Sequence, residues 1–105
     1  MEKNVYSNFM AVVKQSTPEE RNKVAASFRK DLKAYKIGGA VMKIVDSKSE
    51  KVPLYINVMC QQYRKAQFAE EFDAECRRLC SVHWQNPEMV QRIRALHEVV
   101  STSKK

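Results

Sequence analysis

Cys76, Cys80 and His83 stand at i, i+4 and i+7, with Cys60 sixteen residues earlier. Thiolate and imidazole are ligands that zinc takes. On one straight helix, at ~1.5 Å rise per residue, Cys76 and His83 would lie about 10 Å apart, too far to share one ion. No Cys-x2-Cys knuckle supplies a second pair, and the Cys-x9-Cys pairs of small imported mitochondrial hairpins are absent. The spacing predicts core thiols holding no metal and no cofactor, since free cysteine is among the most buried residue types.

A nucleophile with a base and an orienting acid would have only His83 and His97 to draw on, and neither sits in a glycine-containing motif that would expose the attacking atom. Gly38-Gly39 is followed by no Lys-Ser/Thr, so it is not a phosphate loop. Glu70, Glu71, Asp73 and Glu75 read as the wet face of a helix before they read as a general acid and base. A non-enzymatic chain is expected.

The strongest lead is electrostatic. Thr17-Pro18-Glu19-Glu20 opens a helix, with Thr17 as cap, Pro18 at the first helical position and Glu20 completing a capping box. Behind it Val24, Phe28, Leu32 and Tyr35 recur at helical spacing as one apolar stripe. After the acidic first turn, Arg21, Lys23, Arg29, Lys30, Lys33 and Lys36 occupy the other sides, against Asp31. Such a face attracts an acidic protein partner. The alternative is RNA or DNA held through phosphates, each cation neutralising one phosphate at most. No Arg-Gly run, zinc finger or stacking-sheet motif accompanies it to read bases.

The whole composition leans the same way. The chain of 105 residues carries a formal charge of +7. Residues 1–51 hold 11 Lys/Arg and 6 Asp/Glu, and residues 52–105 hold 8 and 6, so the N-terminal half carries the field. One domain over 1–105 is expected from the length. With two Gly, three Pro and no Asn-Gly or Asp-Gly pair, the chain has few turn makers for a many-stranded fold. No apolar run approaches the roughly 18 to 20 residues of a membrane span, and no apolar signal core follows Glu2 and Lys3. Three cysteines without such a signal favour a reducing compartment. The expectation is a soluble intracellular protein of the cytoplasm, nucleus or mitochondrial matrix, its oligomeric state open.

The elements that must position these residues follow from periodicity. Val5, Tyr6, Phe9, Met10, Val12 and Val13 predict a helix over about 4–15 with Asn4 as cap. A second runs 17–37 and ends at Gly38-Gly39, as glycine in a left-handed cap would end it. Residues 40–46 form a short third, and 46–51 a polar loop. From Pro53 one long helix reaches 82, apolar nearly all round at Leu54 to Cys60 and hence central. Asn86-Pro87 starts the last, over 87–100, and 101–105 is a frayed tail. The fold class is therefore an all-α single-domain bundle of four to five helices. Phe9, Phe28, Leu32, Ile56, Met59, Phe72, Leu79, Ile93 and Leu96 are its expected core.

Val5-Tyr6-Ser7-Asn8, ahead of the basic helix with Phe28, resembles the opening of the mitochondrial LYR-motif proteins, small basic accessory and assembly factors that contact acyl carrier protein. Ser7 and Asn8 stand where that motif has other residues, Arg among them, so membership does not follow. The resemblance implies a small accessory subunit. Together these readings predict an interaction module, an adaptor, assembly factor or subunit of a larger complex, which binds through Arg21, Lys23, Arg29, Lys30, Lys33 and Lys36. The surface near Trp84 is a second expected contact.

Overall fold

Thr17 and Glu20 satisfy one another's backbone at the start of the longest helix. The Glu20 N–H donates to Thr17 Oγ1 at 3.2 Å, and the Thr17 N–H donates to Glu20 Oε1 at 3.1 Å. This is the reciprocal capping box, with Pro18 at the first helical position. The structure, a computed structural model, describes residues 6, 8–47 and 51–102. It is all-α, with α1 Phe9–Gln15, α2 Pro18–Asp46, α3 Val52–Tyr63, α4 Ala66–Val82 and α5 Pro87–Thr102. α1 starts at Phe9 rather than near residue 4, and the expected cap Asn4 lies outside the described residues, as do 48–50 of the expected loop. Asn86 caps α5 through its Oδ1, which accepts the Met89 N–H at 3.2 Å. Ser101 and Thr102, expected in the tail, belong to α5, and their hydroxyls donate to the Glu98 carbonyl. Residues 103–105 lie outside the described residues.

Two breaks differ from the sequence expectation, each for a packing reason. The predicted helix 53–82 is two helices, parted at Arg64 and at Lys65, whose backbone is extended (φ −84°, ψ 123°). Thirty residues of straight helix would span about 45 Å, longer than the 39 Å of the molecule's longest axis. The break lets both apolar stretches return to one core, where Tyr63 meets the Phe72 ring edge-on at 5.8 Å. The second break falls at Lys36 (φ 61°, ψ −171°), where α2 divides into arms 18–35 and 37–46. The left-handed residue is thus a lysine, two positions before the predicted glycine cap, and neither Gly38 nor Gly39 has a positive φ. Gly39 is needed for closeness instead, since a Cβ there would collide with Tyr35 Cβ, whereas one on Gly38 would meet only the end of the Glu75 side chain of α4.

α3 sits at the centre and touches all four other helices, as its apolar circumference requires. Leu54, Tyr55, Ile56, Val58, Met59, Cys60 and Tyr63 are all buried. Of the expected core, Phe9, Phe28, Ile56, Met59, Phe72, Leu79, Ile93 and Leu96 are buried. Leu32 is half-buried and Tyr35 is 65% exposed. The stripe frays there because the chain turns away at Lys36 before α4 can cover it.

Phe28 is wholly enclosed, edge-on to Tyr55 at 5.2 Å and tilted against Phe68 at 6.2 Å. Phe28→Ala should cost roughly 3 to 5 kcal/mol in urea unfolding. Lys36 holds a conformation that is essentially glycine's own and costs a larger residue of order 1–3 kcal/mol. Lys36→Gly should therefore raise the unfolding midpoint by about 1 kcal/mol equivalent, after glycine's greater unfolded entropy is subtracted. A lowered midpoint would show the bend unstrained.

Candidate interaction surface on the second helix

At about 100° of rotation per residue, Val24, Phe28, Asp31 and Leu32 share the inner side of the first arm of α2. Lys33 falls opposite them, with Lys30 and Lys23 on one flank and Arg29 on the other. Lys36 follows at the bend. All five are exposed. Arg21 falls on the Phe28 side, and its guanidinium serves the α1–α2 corner. It donates to the Ser16 carbonyl at 2.9 Å, to the Ser16 Oγ at 3.1 Å and to the Val13 carbonyl at 3.2 Å. Those carbonyls belong to the C-terminal end of α1, where a cation is favoured. Arg21 thus fixes the hairpin that carries the face, and the other five form its outward display.

Asp31, the one acid between residues 21 and 45, points inward. It is 7% exposed, and its Oδ2 accepts from Lys43 Nζ at 2.7 Å and from Tyr55 Oη at 2.8 Å. Burial by itself would raise the Asp31 carboxyl. The hydrogen bonds from Lys43 and Tyr55 and the charges of Lys43 and Lys30 outweigh it and hold the group below the ordinary carboxylate value. Burial, and then the bond to Asp31, push the Tyr55 phenol upward. The clasp joins both arms of α2 to α3. On a straight helix residues 31 and 43 would be about 18 Å apart.

A second polar cluster ties α3, α4 and α5. Asp73 accepts from Tyr63 Oη at 2.9 Å and meets His97 Nε2 at 2.7 Å, while the His97 ring stacks on Phe72 at 5.8 Å. Burial, with Asp73 beside it, raises the Tyr63 phenol. The predicted wet carboxylate face is therefore divided: Glu70 and Glu71 are exposed, Asp73 is committed to its partners, and Glu75 pairs with Arg78 at 2.8 Å. Cys60 and Cys76 are buried thiols and Cys80 is half-covered. Burial, aided by Cys80, Asp73 and Glu75, pushes the Cys76 thiol up to about 12, the reverse of what activates a nucleophile. Among the described residues no group of three His, Cys, Asp or Glu is placed to hold a metal, and His83 ends α4 as its C-cap.

Two further surfaces matter. A groove of about 740 Å³ between α2 and α4 is lined by Leu32, Lys36, Phe68, Lys65, Glu71 and Glu75, among others, and so carries both signs. At the α4–α5 corner Trp84 is 70% and Val82 60% exposed, so the tryptophan stands at the surface. Sequence reasoning missed the Asp31–Lys43–Tyr55 clasp, whose only signal was one acid standing in the apolar register of α2. It also missed the Asp73–His97 contact, which 24 residues of intervening chain conceal. Comparison with protein families, curated proteins and solved structures finds no match to this chain. No helix among the described residues is long and apolar enough to cross a membrane.

Asp31 is ionised in the fold at a lower pH than when unfolded. Its contribution is thus complete above the ordinary aspartate value near 3.9 and disappears as pH falls through its lowered folded value. Asp31→Asn should cost about 2 to 3 kcal/mol at pH 7, less than a fully buried pair because Lys43 is half exposed. In urea unfolding at pH 7 and pH 3, the gap between wild type and variant should narrow on acidification.

Proposed function

We propose that this chain is a non-enzymatic interaction module, an adaptor, assembly factor or small subunit of a larger complex, which docks an acidic protein surface on the outward side of α2. One observation carries the reading. Beyond the acidic first turn of Glu19 and Glu20, the single carboxylate between residues 21 and 45 is turned inward and bound, so Arg29, Lys30, Lys33 and Lys36 face solvent with no acid of α2 beside them, and only Lys23 has one, Glu19, a turn before it. A face of one sign raises the encounter rate with an opposite charge and rejects like-charged partners. Around Lys36, Glu71 and Glu75 of α4 adjoin the same surface. A protein can answer such a mixed edge with its own cations, whereas a phosphate chain tracking the face would run into carboxylates. Trp84 and Val82 at the far corner supply the kind of apolar anchor that interfaces concentrate.

The test is capture of partners from a lysate by tagged protein, with and without nuclease, beside the variant Arg29→Glu/Lys30→Glu/Lys33→Glu. The bound protein should survive nuclease and be lost in the variant. These three side chains are exposed, so the variant should unfold within about 0.5 kcal/mol per site of wild type. Loss on nuclease treatment would give the face to nucleic acid, and an unchanged partner set in the variant would free it of any role.

A further inference from the structure

α4 and α5 run antiparallel, and their outer seam differs from end to end. The contact of Asp73 with His97 sets the register, which brings Cys80 level with Val90, Trp84 with Pro87 and Arg77 with Arg94. Leu79 and Ile93 turn to the core, and on the outer side the seam opens as a groove of about 680 Å³. Trp84, Pro87 and Val90 give the groove apolar walls beside the half-covered thiol of Cys80, and Arg94 lines its other end. No carboxylate is among the described residues that line it. At about 100° of rotation per residue, Arg77 stands on the same side of α4, one turn before Cys80. Arg77 and Arg94 are both exposed, and among the described residues neither is paired with a carboxylate, whereas Arg78 is held by Glu75 and Arg92 by Glu88. The nearest acids along the seam lie farther from Trp84. Asp73 is given to Tyr63 and His97, and Glu98, one turn beyond Arg94, makes no ion pair with it.

The aromatic end and the cationic end are two helical turns apart, about 10 Å from Pro87 to Arg94. The backbone of both helices is spent on internal hydrogen bonds, so the seam offers no edge to an extended strand. An incoming chain must satisfy its own backbone, as a helix does. A helix laid along the seam presents side chains at i, i+3 and i+4 to Trp84, Pro87 and Val90, and its residues at i+7 and i+8 reach the arginines, whose planar forks match carboxylates. A nucleic-acid strand stacked on Trp84 would instead carry phosphates along the whole groove, and between Trp84 and the arginines no cation lines it. We propose that the outer seam of α4 and α5 is a docking groove for an acidic amphipathic helix of a partner protein, with its apolar side chains against Trp84 and Val90 and its carboxylates, two turns on, against Arg77 and Arg94. The site rests on the reading of the chain as an interaction module, but it shares no residue with the outward face of α2, so the two stand or fall separately.

Amide and indole N–H NMR tests it at constant ionic strength. The probe is an end-blocked synthetic peptide of about 16 residues, long enough to form a helix, with leucines at i, i+3 and i+4 and glutamates at i+7 and i+8 on an Ala/Gln background. The expected result is saturable shifts at the Trp84 indole and at the Ser81, Val90 and Gln91 amides, with a Kd of about 1 mM or tighter. A peptide with Gln in place of the glutamates should bind about fivefold more weakly, as the loss of two exposed ion pairs implies. A scrambled peptide of the same composition should not saturate. Arg77→Gln/Arg94→Gln should bring the acidic peptide down to the affinity of its Gln counterpart, and Arg29→Gln/Lys30→Gln/Lys33→Gln should bind as wild type does. Absence of saturable shifts at the seam, or equal binding of the Gln or the scrambled peptide, would overturn the site. Shifts confined to Arg29, Lys30 and Lys33 would overturn it too while leaving the reading of α2 in place, and saturation of the seam by oligothymidine but not by the acidic peptide would give it to nucleic acid. The comparison of peptides on the wild-type chain decides the matter even if a variant fails to fold.

Discussion

The fold depends on one buried carboxylate. Asp31 lies among the apolar residues of α2, and a charge in that place is tolerated only with partners close at hand. Lys43 and Tyr55 provide them from the second arm of α2 and from α3. The ammonium and the phenol therefore settle where the chain must be after it bends, which hydrophobic packing alone would leave loose. Phe28 closes over the same tyrosine ring, so the polar clasp and the centre of the core share one side chain. Lys43 reaches in from a half-exposed position, its stem against the protein and its head near the Tyr55 ring at 5.8 Å. Bend, central helix and aromatic core are fixed relative to one another at this point.

The clasp also shapes the outside. With Asp31 drawn inward, the first arm of α2 has nothing on its surface beyond its first turn, where Glu19 and Glu20 stand, to offset its lysines and arginines. Inside, the same carboxylate holds the Lys43 ammonium at 2.7 Å and so takes that cation out of the outward display.

Legibility from sequence followed how local the physics was. Thr17 and Glu20 announce α2 because a capping box is complete within four residues. The apolar circumference of Leu54 to Cys60 likewise announces a central helix, since periodicity records burial directly. The break at Lys65 is not local. It follows from the limited extent of the globule and the need of Phe68 and Phe72 to rejoin the core, and no Gly or Pro marks it. The bend was signalled, but of the glycines that signalled it Gly39 serves close packing against Tyr35, while Lys36 carries the turn. The same distinction holds at the surface. Cation spacing identified the outward face, but not that Arg21 would turn to α1, nor that Lys43 would reach Asp31 across the bend.

The placement of Trp84 gives the molecule an unusual optical character. It is the single tryptophan of the chain, and it already stands in water at the α4–α5 corner of the native state. Its indole therefore experiences much the same solvent before and after the core comes apart, and its emission is nearly silent on global unfolding. Anything that covers that corner removes the ring from water at once. The intrinsic fluorescence of this protein reports on contact with others far more than on its own integrity.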